Sequence, residues 1–359
     1  MDSTVENIFF NDEDHCNFCV EAKKRLEKET YKENNNKLEN LLKKIKKSKS
    51  SDYDCVIGIS GGVDSSYVAV KVKELGLNPL AVHLDNGWNS DLANSNINSL
   101  LDKLQIDLIT HVIDWEEFKN LQVSFLKSSI ANAEIPTDHA IGAILYKIAS
   151  EHNIKYILHG GNIATESIMP KIWMEDAFDL HLLRNIQKKH GSKRLRTYPT
   201  MGYFKLAYFT FIKKIRYVGI LNYISYNKDE AIKELEHKFS WKKYEAKHFE
   251  SIFTRWFQGF YLPKKYGIDK RLAHFSSLII SGQLSRDEAV KKMSVNSYSV
   301  SLAKEDTSYV KKKLEIGDEE FLKIINDSPK SDLNYSKTRL YMQKISFFVN
   351  MAKNIASDR

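Results

Sequence analysis

The chain has 359 residues, of which 42% are hydrophobic and 28% are charged, a composition typical of one large α/β domain with a smaller helical one. Its formal net charge of +8 permits nucleic-acid binding but also suits a phosphate-rich small ligand. The polar start lacks a signal-peptide pattern, the 3 cysteines do not suggest a disulfide framework, and no stretch reaches the length of a membrane span. We therefore expect a cytoplasmic protein.

The first predicted segment is a polar arm, residues 1–30, which contains Cys16 and Cys19. Apolar residues at helical spacing then predict a helix from about Tyr31 to Ile45. A basic linker ends this helix, and we treat the helix and linker, residues 31–50, as one unit. Residues 51–200 alternate apolar runs of strand length with helical segments. We expect strands at residues 53–59, 79–84, 108–113 and 155–159, and helices up to residue 75 and at residues 91–104, 121–129 and 140–152.

This order predicts an α/β fold in which a parallel sheet carries helices on both faces. Helical periodicity dominates residues 201–359, for example at residues 230–239 and 286–293, and we expect the charged tail beyond Asp306 to be helical. The most apolar segment, residues 203–226, is interrupted by four basic residues. We expect an aromatic-rich helix packed on the core, with a position on a membrane surface as the alternative.

One loop carries most of the chemistry: Ser60-Gly61-Gly62-Val63-Asp64-Ser65-Ser66 follows the first strand and leads into a helix. Two adjacent glycines let the backbone take positive φ and approach a ligand closely. The N–H groups of the turn and the three serine hydroxyls then point at an anion on the helix N-terminus. Asp64 fits beside phosphate if Mg²⁺ lies between them. The string predicts a pyrophosphate-binding loop, with an ordinary glycine-rich turn as the alternative.

Polar residues also follow the next two strands, at the sheet edge where ligands bind in parallel folds. Asp85 and Asn86 end the second strand and are candidates for contact with Mg²⁺ or substrate, with a purely local Asp-Asn-Gly turn as the alternative. Asp138 and His139 come after the third strand and are candidates for holding an acceptor. Thr137 or Asp138 also suits the N-cap of the helix that we expect to start near Ala140.

The fourth strand ends in Gly160 and Gly161, which allow close approach to ribose or phosphate. Glu166, a few residues later, is a candidate to complete a Mg²⁺ site with Asp64.

Residues 248–274 are dense in cations and aromatic residues. Such interleaving suits stacking on nucleic acid, neutralisation of a leaving pyrophosphate, or merely a helical surface with snorkelling lysines. We single out Arg255, Lys264 and Lys270 as candidate catalytic cations.

The glycine-rich string resembles the PP-loop of the ATP pyrophosphatases, which include asparagine synthetase, GMP synthetase and the tRNA thiolation and lysidine enzymes. The resemblance implies that ATP adenylates a carbonyl-type oxygen, pyrophosphate leaves, and a nucleophile displaces AMP. It also places the adenosine beside the end of the second strand. The residues expected to bind ATP are therefore those of the loop together with His83, Leu84, Gly160 and Gly161.

Several segments together resemble a narrower group, the N-acetyl sugar amidotransferases of pseudaminic acid, legionaminic acid and O-antigen biosynthesis. The match runs from about residue 8 to 290. The segments that carry it are Asp85-Asn86-Gly87-Trp88-Asn89-Ser90, Asp114-Trp115-Glu116-Glu117-Phe118, Pro136-Thr137-Asp138-His139-Ala140, Asn162-Ile163-Ala164-Thr165-Glu166, Glu250-Ser251-Ile252-Phe253-Thr254-Arg255 and Gly267-Ile268-Asp269-Lys270-Arg271.

This second resemblance implies conversion of an N-acetyl group on a nucleotide-activated sugar into an acetamidino group, with ATP and Mg²⁺ as cofactors and no nucleic acid as partner. The chain has no N-terminal cysteine nucleophile and no Gly-x-Cys-x-Gly elbow, so the family implies a separate glutaminase subunit that supplies ammonia. The residues expected to contact the sugar substrate are Asp85, Asn86, Trp88, Thr137, Asp138, His139 and Asn162.

The amino-terminal cysteines depart from the family pattern, in which two Cys-x-x-Cys pairs flank a Met-Pro-Asp-Thr-like stretch. Here Cys16 and Cys19 resemble the second pair only, and four thiolates, not two, make a closed structural zinc site. We therefore expect an incomplete zinc site, and a chain that starts at an internal methionine.

Two other functions fit parts of the sequence. A tRNA-modifying PP-loop enzyme of the thiolation or lysidine type suits the positive charge and the cysteine pair, although no catalytic cysteine follows the fourth strand. A nucleotide-binding subunit that regulates a partner glutaminase is the non-enzymatic alternative, and the intact PP-loop argues against it.

Overall fold

The computed structural model describes residues 1–29, 35–49, 51–173, 175–245, 249–295 and 298–341. The predicted helix start at residues 31–34 and the end of the predicted helical tail, residues 342–359, lie outside this range.

A parallel five-stranded sheet forms the centre of the fold. Its strands are β1 (Cys55–Gly58), β2 (Pro79–Asp85), β3 (Leu108–Val112), β4 (Tyr156–His159) and β5 (Arg216–Gly219), in the spatial order β3-β2-β1-β4-β5. All neighbouring strands are parallel, which confirms the predicted α/β class. The strand order reverses beside β1, so a crevice opens at the carboxyl ends of β1 and β4.

Sixteen α-helices occur in the described residues. They are α1 (Asn17–Glu29), α2 (Asn35–Lys47), α3 (Val63–Glu74), α4 (Asp91–Leu104), α5 (Trp115–Ser128), α6 (Ile135–Glu151), α7 (Ile163–Glu166), α8 (Leu180–His190), α9 (Tyr203–Ala207), α10 (Lys228–Phe239), α11 (Ile252–Trp256), α12 (Leu262–Tyr266), α13 (Lys270–Ile280), α14 (Arg286–Ser294), α15 (Val300–Leu314) and α16 (Asp318–Asn326). Short 3₁₀ turns lie at Lys171–Trp173, Ile220–Tyr223 and Asp332–Asn334, and π-helical turns at Tyr208–Ile212 and Phe257–Tyr261.

Alternate residues of β1 point to opposite faces of the sheet, and each face has its own helices. Cys55 and Ile57 pack in one core with α3, whereas Val56 packs in another with α6. The helices therefore cover both faces, as the alternation of strands and helices predicts.

The fifth strand corrects the expectation that strands end before residue 200. β5 lies in the apolar segment at residues 203–226, directly after α9 and a π-helical turn. Only part of that segment packs inward: Phe209 is buried, whereas Phe204 and Phe211 are 95% and 74% exposed.

Helix α6 also differs from its prediction, because it begins at Ile135 rather than near Ala140. Pro136 explains the earlier start, since proline suits the first turn of a helix. The N-cap is Glu134, with no capping side-chain hydrogen bond. Thr137 and Asp138 therefore lie inside the first turns of α6 and do not cap it.

Candidate active site at the carboxyl edge of the sheet

The predicted PP-loop connects β1 to α3 and passes very close to the following elements. Gly61 has φ +79°, and a Cβ there would lie 2.7 Å from the carbonyl oxygen of Ala93. A Cβ on Gly62 would lie 3.0 Å from Oε1 of Glu250. Gly61 is therefore required by its backbone conformation and by close packing, whereas a Cβ at Gly62 would need only a small shift of the Glu250 side chain.

The loop leaves its anion-binding groups available. No side chain caps α3 at Gly62, so the N–H groups of the first helical turn have no intrahelical acceptor. Ser60 and Ser65 bond to each other (Oγ to Oγ 3.1 Å), and Ser65 Oγ also donates to the Gly62 carbonyl at 3.1 Å. Ser66 Oγ is buried and has no hydrogen-bond partner among the described residues. An uncapped helix start with an orphaned hydroxyl fits a bound pyrophosphate group.

The loop is held from outside by a segment far away in sequence. Trp241 Nε1 and Tyr244 Oη each donate to the Gly61 carbonyl, both at 3.0 Å. The segment around Glu250 then pairs with the chain after β2: Ser90 N donates to the Glu250 carbonyl at 2.9 Å, and Asn89 and Ser251 form an antiparallel bridge. Residues beyond position 240 therefore help to hold the predicted PP-loop in place.

We expect the double substitution Trp241→Phe and Tyr244→Phe to raise the KM for ATP about tenfold. It leaves the Gly61 carbonyl without either donor, and two hydrogen bonds are together worth roughly 1–3 kcal/mol. Steady-state kinetics with varied ATP would measure this. Tyr335→Phe is the control, because it removes a donor to the Ser128 carbonyl (2.9 Å) from a different part of the fold. An unchanged KM in the double variant would contradict the support role.

Asp64 lies where two loops of the sheet edge meet. A Cβ on Gly160 would come within 2.9 Å of the Asp64 backbone carbon, so the loop after β4 passes directly against the PP-loop. The phenol of Tyr226 donates to Asp64 Oδ1. Burial, followed by the negative charge of Asp64 and, more weakly, of Glu166, raises the pKa of Tyr226 above its ordinary value. Both predicted carboxylates therefore act on the same phenol.

Two carboxylates near a phosphate loop fit Mg²⁺, which usually takes one or two carboxylates and completes its shell with water and phosphate oxygens. Asp64 and Glu166 would hold the ion here. Across the described ranges, no three His, Cys, Asp or Glu side chains are grouped to hold a metal by themselves. Cys16 and Cys19 lie together, with the Cys19 N–H pointing at the Cys16 sulfur at 3.3 Å, and two thiols alone do not close a zinc site.

The end of β2 faces the loop from the other side. His83 Nδ1 lies 2.8 Å from the Ile59 carbonyl and its Nε2 lies 2.7 Å from Asn89 Nδ2, so His83 has an internal, positioning role. The Val82 carbonyl makes the ladder bond to Ile59 N at 3.0 Å. Because alternate strand residues face the same neighbour, the Leu84 backbone points to the same side, beyond the end of β1. That position suits the predicted contact with adenine.

Asn86, which follows β2, makes a side-chain hydrogen bond to α6. Its Nδ2 donates to Thr137 Oγ1 at 3.1 Å, and its Oδ1 accepts from Trp88 N at 3.2 Å. Asp85 accepts from Gly87 N at 2.9 Å, which is the local turn that Asp-Asn-Gly favours. The structure thus brings together Asn86 and Thr137, which are both predicted substrate contacts.

Two predicted substrate contacts are instead core residues. The side chain of Trp88 is fully buried and packs against Trp115 and Phe253. His139 is also fully buried, with Nδ1 2.6 Å from the Ala177 carbonyl and Nε2 accepting from Met201 N at 3.0 Å. Both polar ends of His139 are already used, so its role is to hold loops rather than to touch a ligand.

The loop after β4 is ordered by its own side chains. Asn162 caps α7, accepting from Thr165 N at 2.9 Å and donating to the Gly160 carbonyl at 3.0 Å. A Cβ on Gly161 would lie 2.9 Å from Nδ1 of His159, whose ring stacks on Tyr217 with centroids 4.1 Å apart. Burial lowers the pKa of His159 to about 4, so this ring stays neutral beside the crevice.

The three candidate cations lie in different environments. Arg255 makes a bidentate pair with Asp306, at 2.8 and 2.7 Å, which accounts for its position without a ligand. Lys264 is exposed on α12. Lys270 Nζ lies 3.6 Å from Glu134 Oε2 and reaches the start of α6. Of the three, Lys270 is the one whose charge acts on another predicted site residue, Asp138, and pyrophosphate contact stays a prediction for all of them.

The sequence reasoning did not single out several residues that the structure places around the loop. They are Tyr226, Trp241, Tyr244, Glu250, Glu134 and Gln258. Glu250 alone had a signal, because it opens one of the segments that carry the family resemblance.

Two parts of the chain match known families. Residues 34–198 match NAD synthase, and residues 250–349 match the C-terminal domain of WbpG-like LPS biosynthesis proteins. Comparison with curated protein sequences gave no significant match. None of the helices in the described ranges combines the length and apolar character that a membrane crossing needs.

Several solved structures are distantly similar. The U34-tRNA thiolase NcsA from Methanococcus maripaludis, with its [4Fe-4S] cluster, has 15% identity over 86% of this chain and 88% of its own, with a TM-score of 0.36. The NH3-dependent NAD synthetase from Campylobacter jejuni has 17% identity over 61% of this chain and 84% of its own, with a TM-score of 0.29. These likenesses carry no argument about activity.

The two family matches follow each other along the chain and meet in space, because Glu250, at the start of the second match, lies against Gly62 of the PP-loop. The chain therefore joins an ATP-utilising PP-loop domain to a WbpG-like C-terminal domain, and so matches the O-antigen sugar amidotransferases within the PP-loop superfamily.

Proposed function

We propose that the protein is an ATP-dependent amidotransferase that converts the acetamido group of a nucleotide-activated sugar into an acetamidino group. The observation that carries this proposal is the composition of the crevice. The PP-loop forms one wall, and the WbpG-like region contributes Glu250 beside Gly62 and Lys270 beside Glu134. A region typical of LPS biosynthesis proteins thus stands where an acceptor would meet ATP.

The chemistry needs ATP because an amide carbonyl does not react with ammonia, its oxygen being a very poor leaving group. Transfer of AMP to that oxygen gives an O-adenylyl imidate, from which AMP departs as a stable anion when ammonia attacks. Bound Mg²⁺ would neutralise charge on the phosphates. The chain's own residues do the rest: the PP-loop binds the departing pyrophosphate, Asn86 and Thr137 face the acceptor, and the closed loops exclude water.

The ammonia source in this proposal is a separate glutaminase subunit. The chain's 3 cysteines do not offer a glutaminase nucleophile. Cys55 is fully buried in β1, and burial together with the neighbouring Cys16 raises the pKa of Cys19 to about 12, which keeps that thiol protonated. We place the protein in the cytoplasm, where ATP and nucleotide-activated sugars are available.

Mass spectrometry on a panel of nucleotide-activated acetamido sugars tests the proposal. Each sugar is incubated with the full chain, ATP, Mg²⁺ and a high ammonium concentration, while AMP and pyrophosphate are followed in parallel. We expect one sugar to gain NH in place of oxygen, with stoichiometric AMP. AMP release that depends on added tRNA, without any sugar product, would overturn the proposal in favour of a tRNA-modifying enzyme.

A further inference from the structure

Helix α6 carries Asp138 to the mouth of the crevice. In a parallel α/β fold the helix that precedes a strand runs opposite to it, so the N-terminus of α6 lies at the carboxyl edge of the sheet. Leu145 of α6 packs on β1, with its Cδ1 3.5 Å from a Cβ built on Gly58. Asp138 precedes Leu145 by two helical turns on the same face, about 10 Å nearer that edge. It therefore lies above the end of β1.

The PP-loop approaches the same place from the opposite side. Helix α3 packs on the face of the sheet that carries Cys55 and Ile57, whereas α6 packs on the other face. The starts of α3 and α6 thus flank the end of β1 from two sides. A ligand with its phosphates on α3 would present its reacting end toward α6, and Asp138, an exposed residue near the start of α6, is available to meet it.

Asp138 is an exposed residue, yet the protein around the crevice still desolvates its carboxyl, and two charged groups act on it. Glu134 lies one turn earlier on α6 and is held by Gln258, whose Nε2 donates to its Oε2 at 3.0 Å, and by Lys270 at 3.6 Å. Desolvation by the surrounding protein, then the charge of Glu134, raises the pKa of Asp138 to about 7, while Lys270 acts in the opposite direction.

Among the described residues, the phenols of Tyr198 and of Tyr217 on β5 also interact electrostatically with Asp138. Burial raises the pKa of Tyr198, and desolvation by the surrounding protein raises that of Tyr217, so both phenols stay neutral at physiological pH. Glu134 and Lys270 are therefore the charges that tune Asp138.

We infer that Asp138 is the general base that takes the N–H proton of the acetamido group as the amide oxygen attacks the α-phosphorus of ATP. This inference rests on the proposed function. The oxygen–phosphorus bond forms, the bond to pyrophosphate breaks, and the N–H electron pair becomes the C=N bond of the imidate. Loss of this proton makes the amide oxygen a better nucleophile, which is the difficult part of the reaction.

The same carboxyl serves the second half of the reaction. As ammonia adds to the imidate carbon, Asp138 returns the proton to the sugar nitrogen. The new ammonium group then gives one proton to the Asp138 carboxylate while AMP leaves with the carbon–oxygen electron pair. The product is an amidinium, and one proton passes to solvent in each turnover. A carboxyl that changes ionisation near neutral pH is suited to this exchange.

The variant Asp138→Asn tests the assignment, because asparagine keeps the shape but cannot take a proton. We expect kcat for AMP formation to fall about 100-fold, while the Kd for ATP in equilibrium binding stays within twofold. Glu151→Gln, at the far exposed end of the same helix, is the control and should keep full activity. An Asp138→Asn variant with more than half of the wild-type kcat would overturn the inference.

The pH profile gives a second readout that a structural role would not move. Activity requires the ionised carboxylate, so the rate rises with pH through the pKa of Asp138. Glu134→Gln removes a negative charge, lowers that pKa and should shift the acidic limb of kcat/KM to lower pH. Lys270→Met removes a positive charge and should shift it upward. If the acidic limb of kcat/KM lay at the same pH in the wild type and in both variants, compared at equal ammonia concentration, the assignment would be rejected.

Failure of the proposed function is distinguishable from failure of this inference. A wild-type protein that converts none of the acetamido sugars rejects both. A wild-type protein that converts one, together with an active Asp138→Asn variant, rejects only the role of Asp138.

Discussion

Replacing Gly61 with alanine should reduce ATP-dependent turnover at least 100-fold. The residue has φ +79°, and its new Cβ would lie 2.7 Å from the backbone oxygen of Ala93. Neither α4 nor the loop is able to yield cheaply, because Gly61 is also held through its carbonyl by Trp241 and Tyr244. A displacement of about 1 Å at a phosphate-binding loop is enough to cost roughly 10²-fold in rate. AMP release under saturating ATP measures the effect.

Gly282→Ala is the matched control. Gly282 has nearly the same backbone conformation, φ +75°, but nothing lies within 4 Å of the position that a Cβ would take. Both variants therefore carry the strain of a left-handed alanine, about 1–2 kcal/mol, and Gly61→Ala alone carries the clash. Equal losses of activity in the two variants would show that close packing of the loop is unimportant.

The substitution Arg255→Met should lower the free energy of unfolding by about 3–5 kcal/mol, because it leaves a buried carboxylate without its cation. Asp306 is only 2% exposed and would keep the hydrogen bond from the Tyr298 hydroxyl, at 2.8 Å, but lose the two from Arg255. Urea denaturation of the full chain measures the change.

Two further variants test whether the loss of stability comes from the unpaired Asp306 carboxylate. Arg271→Met breaks a half-exposed pair with Asp269 and should cost less than about 1 kcal/mol. The double variant Arg255→Met, Asp306→Leu should recover most of the lost stability, since no unpaired charge remains. If Arg255→Met instead kept its stability and lost AMP formation, the predicted contact of Arg255 with pyrophosphate would be the better explanation.

The secondary structure was predictable where a short segment of sequence by itself indicates a strand or a helix. The runs that form β1 to β4 are apolar and bounded by turn residues, so their strand character is visible locally. β5 has four residues, of which Arg216 and Tyr217 are exposed, and it follows a π-helical turn. Apolar residues continue on both sides of β5 within residues 203–226, so nothing local marked where a strand begins or ends.

The candidate site was predictable only in its contiguous part. The PP-loop is one string of residues, whereas Tyr226 reaches Asp64 across 162 positions and Trp241 reaches Gly61 across 180. Hydrophobic periodicity contains no information on such pairs. Trp88 and His139 show the converse problem, because residue type indicates what a side chain is able to do but not whether the fold buries it.

The fifth strand has a consequence for how the chain is divided. β5 pairs with β4 through four residues, from Tyr156 beside Arg216 to His159 beside Gly219. A fragment that stopped at residue 200 would turn β4, whose Ile157 and Leu158 are fully buried, into an open edge with unpaired N–H and C=O groups. Such an edge recruits other chains and favours aggregation. The boundary near residue 200 therefore separates two sequence patterns, and we expect a fragment that ends there to aggregate.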